Sequence, residues 1–283
     1  MAMEEISGGG SLNPKHIFEL LKYRTEFRAE HPEYFDPDGL LVFAGPQGSG
    51  KTLSAVNYVY NLLEAYPQSK LVTNLMLTDY PIVTYEKFLK KFRTKDFIEK
   101  LEKTTLSDEQ INEVLYRYYL DTNRVFPFIN NDDLQQYDNG ERGVIFLIDE
   151  IQLYMNSLES KNINMEVMTQ ISQQRKQRKH IVCTSQVFGR MAKPLREQFS
   201  SVVVCKCMFR CLQNNMLVDR DDMDGETSSD TTVKGTCSQR FVWFHTPAMY
   251  KRYDTYYVIE KGKFADAENR KGDIYGTGLS DNY

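Results

Sequence analysis

The chain has 283 residues and a formal net charge of −4; 41% of it is hydrophobic and 26% charged. That length suits one large or two small domains, and that balance is ordinary for a globular protein. The slight negative charge excludes a general attraction to polyanions, so any nucleic-acid contact has to come from a local basic patch. No apolar run approaches the roughly 18 residues of a membrane span, so no membrane span is expected.

Residues 1–36 read as an N-terminal helical arm. The start "MAMEEISGGGS" is acidic and glycine-rich, unlike a secretory leader, so the expected compartment is the cytoplasm, the host's if the protein is viral. "PKHIFELLKYRTEFRAEHPEYF" then reads as one helix, suited to packing on a neighbour. The main domain is expected over residues 37–210.

That domain begins with "LLVFA" (Leu40 to Ala44), a short apolar run that predicts a buried strand. "GPQGSGKT" (Gly45 to Thr52) follows and fits G-x-x-x-x-G-K-[ST]. After it, Ala55, Val56, Val59, Leu62 and Leu63 recur at helical intervals, so a helix is predicted from near Lys51. A strand, a glycine-rich turn and a helix make a phosphate cradle. Gly45, Gly48, Ser49 and Gly50 let the backbone N–H groups point inward, and the helix start adds its positive dipole end. Lys51 is expected to reach the terminal phosphates and Thr52 to hold Mg²⁺.

"KLVTNLML" reads as a second strand. Residues 87–123 form a charged, helix-rich insertion of no assigned role. "VIFLIDE" (Val144 to Glu150) predicts a central strand with two carboxylates at its C-terminal end, where open α/β sheets bind ligands. Asp149 is assigned to the metal and Glu150 to activation of a water for attack on the γ-phosphate. An activating Glu in that place favours hydrolysis over phosphoryl transfer to a small molecule. The absence of N-K-x-D argues against a GTPase.

In "NINMEVMTQISQQRKQRKH", Ile163, Val167, Met168 and Ile171 form a helical stripe, with Arg175 and Arg178 near its end. Those arginines either complement the helix dipole on a solvated face, or reach a neighbouring subunit's ATP or DNA phosphates. Arg175 is preferred as the finger; Arg190 and Arg196 are weaker candidates. "HIVCTSQ" (His180 to Gln186) predicts a third strand whose polar end senses the γ-phosphate, with Gln186 ahead of Ser185. Of the five cysteines, "CKCMFRC" invites a zinc reading, but no C-x-x-C pair is present and small buried hydrophobes are the better account.

From residue 211 onward a β-rich extension is expected. "VDRDDMDGETSSDTTVKGT" reads as a polar loop without EF-hand spacing. "QRFVWFHT" and "YDTYYVIEKGKF" read as strands, and "GDIYGTGLSDNY" as a tail. Trp243 and the tyrosines could stack on single-stranded bases, although core packing is the simpler account.

The motif order resembles the FtsK/HerA group of DNA-pumping ATPases. It is similar, more closely, to the zonular occludens toxin-like ATPases that filamentous phages use to assemble and extrude DNA; "KLVTNLML", "QRKQRKHIVCTSQ" and "AMYKRYDTYYVI" carry this likeness. Viral genome-packaging ATPases share the general layout. Members from filamentous phages usually carry a transmembrane helix, and no such segment is read here. The expected fold class is α/β: a RecA-like P-loop NTPase of the ASCE type. It would have a central, mostly parallel sheet, a helical insertion and a small β-rich C-terminal extension. The resemblance implies ATP and Mg²⁺ as cofactors and DNA as partner. It also implies a homo-oligomeric ring and contacts with phage portal, capsid or assembly proteins. Lys87, Lys90, Lys91, Lys176 and Lys179 are the candidates for a basic pore lining. A small-molecule kinase and a nucleotide-gated scaffold stay open as alternatives.

Overall fold

The computed structural model describes residues 14–36, 39–78, 85–92, 107–122, 125–155, 165–174, 176–199, 201–219 and 237–254. In chain order, α1 (Pro14–Glu30) precedes β1 (Leu40–Ala44), α2 (Lys51–Ala65) and β2 (Lys70–Thr73). Two helices, α3 (Tyr85–Phe92) and α4 (Asp108–Thr122), lead to β3 (Val125–Pro127), the short α5 (Asp133–Gln136) and β4 (Val144–Ile148). Then come α6 (Met165–Gln173), β5 (Lys179–Ser185), α7 (Lys193–Arg196) and β6 (Ser201–Met208). β7 (Leu212–Asp219), β8 (Gln239–Phe244) and the one-turn α8 (Pro247–Tyr250) complete the described elements.

All the described strands join one sheet in the order β3-β2-β4-β5-β1-β6-β7-β8. The pairings from β3 through β6 are parallel, and β6–β7 and β7–β8 are antiparallel. Two strands, β5 and β4, therefore separate β1 from β2, so the strand that ends in the Asp–Glu pair is one strand removed from the strand that leads into the glycine-rich loop. The two described strands after residue 210, β7 and β8, extend this sheet.

The central strands are buried on both faces, which explains why they read as continuous apolar runs. Alternate residues serve two layers. Val42, Phe146, Ile148, Ile181, Val202 and Val204 pack toward Ile171 of α6 and Leu195 of α7. Phe43, Ile145, Leu147, Val182 and Val203 pack against Leu53, Val56, Val59 and Leu63 of α2. The helices of the insertion close on their own small cluster of Phe88, Phe92 and Leu115.

Among the described residues the arm holds one helix, which ends at Glu30, before Phe35, which is fully buried. Ile17, Phe18, Leu20 and Leu21 of α1 are all at least half exposed. No helix among the described residues is long and apolar enough to cross a membrane. The segment from Thr255 onward, which includes most of "YDTYYVIEKGKF", lies outside the described residues, as does most of the Asp-rich loop. Tyr253 pairs with Leu77 in an isolated antiparallel bridge.

Candidate active site

The site lies at the C-terminal ends of β1, β4, β5 and β2. Residues 45–50 leave β1, and Gly50 adopts a left-handed conformation (φ 79°) directly before α2. The backbone angle favours glycine there, and a Cβ at Gly50 would lie 2.1 Å from Gln213 Oε1, so that side chain would have to move. Ser49 Oγ is buried and has no hydrogen-bond partner. The N–H groups of Gly45 and Ser49 are taken by Ser185 O and Pro46 O, so the orphaned Ser49 hydroxyl is the loop group that a bound oxyanion would satisfy.

β4 delivers the two carboxylates. Asp149 Oδ1 accepts hydrogen bonds from Thr52 Oγ1 (2.9 Å) and Thr184 Oγ1 (2.6 Å). Both bonds fall on one oxygen, which leaves Oδ2 for a metal's water shell. A hydroxyl and a carboxylate beside a phosphate loop are hard oxygen donors, so these residues fit Mg²⁺. Burial pushes the Asp149 carboxyl above its usual range, while the two threonine bonds and Lys51 pull it back down. The Asp149 backbone is clamped by Asn74, which accepts from its N–H at 2.8 Å and donates to its carbonyl at 2.9 Å.

Glu150 has a left-handed backbone (φ 51°), unusual for a non-glycine residue and common at functional turns. Its N–H donates to Thr184 Oγ1 at 2.9 Å. Its Oε1 lies 2.9 Å from Lys51 Nζ and accepts from Gln186 Nε2 at 3.3 Å, while Gln152 Nε2 donates to Oε2. The phosphate-loop lysine, the proposed base and the proposed sensor thus meet at one carboxylate oxygen. Ser185 Oγ instead donates to Val187 O at 3.0 Å and is fully buried, which turns it into the following turn.

Other candidates lie elsewhere. Arg175 lies outside the described residues. Arg178 is not on the helix: α6 ends at Gln173, and Arg178 sits in a left-handed turn (φ 55°) before β5. Its guanidinium covers the Tyr34 ring at 3.9 Å, bonds the Tyr34 hydroxyl and lies 3.9 Å from Asp36. It ties the arm to the end of the sheet opposite the phosphate loop. Lys91 bonds Ala65 O and Gln68 Oε1, and buried Lys179 bonds Leu134 O at 2.8 Å, so neither is a free pore cation. The described residues contain no cluster able to hold a metal through His, Cys, Asp and Glu; Cys205 is a buried thiol pushed up to about 12 by desolvation.

Three site residues are not apparent from the motifs. Asn74 and Thr184 are polar residues at or next to the ends of apolar strands, a signal the sequence does contain. Gln213 gives no such sign. It arrives from β7, donating to Ser49 O at 2.9 Å and to Asn215 Oδ1 at 2.7 Å.

A strand-loop-helix phosphate cradle, an Asp–Glu strand one place removed from it, and a polar-ended strand between them define a P-loop NTPase. The chain belongs to the zonular occludens toxin (Zot) family, whose model matches residues 39–208. No curated protein matches the chain. Among solved structures it is similar to the N-terminal domain of zonular occludens toxin from Neisseria meningitidis. That match has 15% identity and a TM-score of 0.45, and covers 76% of this chain and 98% of that one. It is also similar to the genome packaging NTPase B204 from Sulfolobus turreted icosahedral virus 2 in complex with ATP-gammaS. There the identity is 12%, the coverage 60% of this chain and 75% of that one, and the TM-score 0.36. The flagellar accessory protein FlaH from Methanocaldococcus jannaschii is similar at 11% identity over 74% of this chain and 85% of that one, with a TM-score of 0.37.

Proposed function

We propose that the chain is a Mg²⁺-dependent ATP hydrolase that works as an oligomeric, DNA-translocating motor of a phage or mobile element. Its task would be genome packaging or DNA extrusion during virion assembly, in the host cytoplasm. Residues 37–210 would form the motor core, residues 1–36 the arm and residues 211–283 the extension. Zot family membership and the resemblance carried by the sequence motifs support the setting. The chemistry rests on one observation, the meeting of Lys51, Gln186 and Glu150 at Glu150 Oε1.

The residues divide the work as follows. The backbone of Gly48 to Thr52 would hold the phosphates, with Gly45, whose N–H donates to Ser185 O, shaping the turn before them; Thr52 and Asp149 would hold the metal, which would supply positive charge to offset that of the phosphates. Lys51 is paired with Glu150 at 2.9 Å. An incoming γ-phosphate would compete for the lysine and release the carboxylate, which takes a proton from water as the water oxygen bonds to the γ-phosphorus and the bond to the β–γ bridging oxygen breaks, leaving ADP and inorganic phosphate. Gln186 reads the change because it bonds the same oxygen. Arg175 of a neighbouring subunit would complete the site, and DNA and portal, capsid or assembly proteins would be the partners.

The test is steady-state ATP hydrolysis by wild type and Glu150→Gln, with and without single- or double-stranded DNA, across protein concentration. The motor reading expects stimulation by both DNA and concentration, and a variant that binds ATP without turning it over. Turnover indifferent to both DNA and concentration overturns it.

A further inference from the structure

The extension strands bring an aromatic group to the edge of the phosphate loop. Gln213 uses both amide hydrogens on Ser49 O and Asn215 Oδ1, so its Oε1 accepts from His245 Nε2 at 3.1 Å. His245 Nδ1 is then the acceptor for the Tyr250 hydroxyl. Burial lowers the His245 pKa, in keeping with a neutral ring. The His245 ring also lies 5.1 Å from that of Trp243 and 5.5 Å, edge-on, from that of Tyr250. Two side-chain hydrogen bonds therefore separate the phosphate loop from a set of rings.

The turn between β6 and β7 is tied to the same rings, with His245 N–H donating to Cys211 O at 2.8 Å. Cys211 N–H donates to Met208 O at 3.2 Å, and the two central residues, Phe209 (φ 51°) and Arg210 (φ 58°), are both left-handed. That is the two-residue hairpin turn in which Asn-Gly fits best. A Phe–Arg pair there is a strained choice of the kind that accompanies function. Phe209 is 87% exposed, and Tyr250, whose hydroxyl lies 3.4 Å from Arg210 O, is 53% exposed. Large aromatic surface left in water and linked to the phosphate loop through Gln213 and His245 suits the flat base of a nucleotide whose phosphates fill the cradle.

We propose that Phe209, with Tyr250 beside it, forms the nucleobase subsite of the nucleotide site, stacking on the purine of the bound triphosphate. The inference rests on the nucleotide-binding reading above and adds the group that distinguishes a nucleotide from bare phosphate. The hydrogen-bond chain from Ser49 through Gln213 and His245 to Tyr250 holds the subsite at a fixed distance from the phosphates.

The test compares binding of ATP and of inorganic tripolyphosphate by calorimetry, in the full chain, for wild type, Phe209→Ala, Phe209→Tyr and Lys51→Ala. Emission of the single tryptophan, Trp243, serves as a second readout. Wild type should bind ATP more tightly than tripolyphosphate, and only ATP should change the emission. Phe209→Ala should weaken ATP by about tenfold or more, the scale of one lost base stack, and leave tripolyphosphate unchanged. Phe209→Tyr should restore ATP. Because Phe209 is so exposed, its removal leaves the core intact. An unchanged preference for ATP in Phe209→Ala overturns the proposal, as does a wild type that shows none. So does a variant that keeps ATP but loses affinity for a single-stranded oligonucleotide, which would assign the ring to nucleic acid. If wild type binds neither ligand, or Lys51→Ala binds both as wild type does, the underlying nucleotide reading has failed and this subsite falls with it.

Discussion

The hydroxyl of Thr184 holds both acidic residues of the site: it donates to Asp149 Oδ1 at 2.6 Å and accepts from the Glu150 N–H at 2.9 Å. Thr184 is fully buried, so it positions these groups without touching substrate. Thr184→Val keeps the shape and removes both bonds. It should lower the rate of ATP hydrolysis by about 10- to 100-fold, the scale of a small misplacement of reacting groups, with nucleotide affinity little changed. Thr184→Ser should restore most of the rate. A loss of affinity that matches the loss of rate would point to a folding defect instead.

Glu150 and Lys51 lie 2.9 Å apart at a largely buried site. Glu150→Gln removes the proposed base and frees the lysine for phosphate. Turnover should fall by about 10²-fold or more. ATP affinity should stay equal or increase, because the lost carboxylate both held Lys51 and repelled the γ-phosphate. Lys51→Ala should lose affinity and turnover together. Isothermal titration and a single-turnover assay separate these outcomes, and weaker ATP binding in Glu150→Gln would show that the ion pair does not compete with phosphate.

Gly143 precedes β4 with φ 77° and ψ 163°, a region only glycine enters at low cost. A Cβ there would lie 2.1 Å from the ring of Phe35, which is fully buried. Gly143→Ala should therefore lower the unfolding free energy by about 2–5 kcal/mol from backbone strain and overpacking combined. Urea unfolding measures it.

The sequence shows β1, β4 and β5 plainly because parallel central strands, covered on both faces, are continuous apolar runs bounded by chemistry-bearing residues. The phosphate loop is legible for the same reason that it works, a fixed spacing of glycines before a helix. What the sequence hides is non-local. Gln213 lies in a polar stretch of β7 and meets Ser49 only because β7 pairs with β6 beside β1. Arg178 sits at the end of a helical pattern and reads as part of that helix, but its backbone turns left-handed and its charge goes to Tyr34 and Asp36. Asn74 and Thr184 are visible as polar residues closing apolar strands, yet nothing local says that both would bind the Asp–Glu pair. β3, at three residues, is too short for its pattern to stand out.

Lys91 fixes α3 to the turn after α2. Its ammonium donates to Ala65 O at 2.7 Å and Gln68 Oε1 at 3.3 Å and lies 5.1 Å from the centre of the Tyr66 ring. Burial lowers its pKa from the usual 10.5 to about 8, against an opposing pull from the Glu33 charge. Below about pH 8 both folded and unfolded chains hold the proton, and the cost of burying the charge is present in full. Between that pH and 10.5, the unfolded chain keeps a proton that the folded chain has released, so this group makes stability rise with pH. Wild type should therefore gain in urea midpoint relative to Lys91→Met as pH is raised from about 7 to about 10, other titrating groups cancelling in the difference. A difference that stays flat would mean the lysine keeps its ordinary pKa, with water reaching the ammonium between α3 and Tyr66.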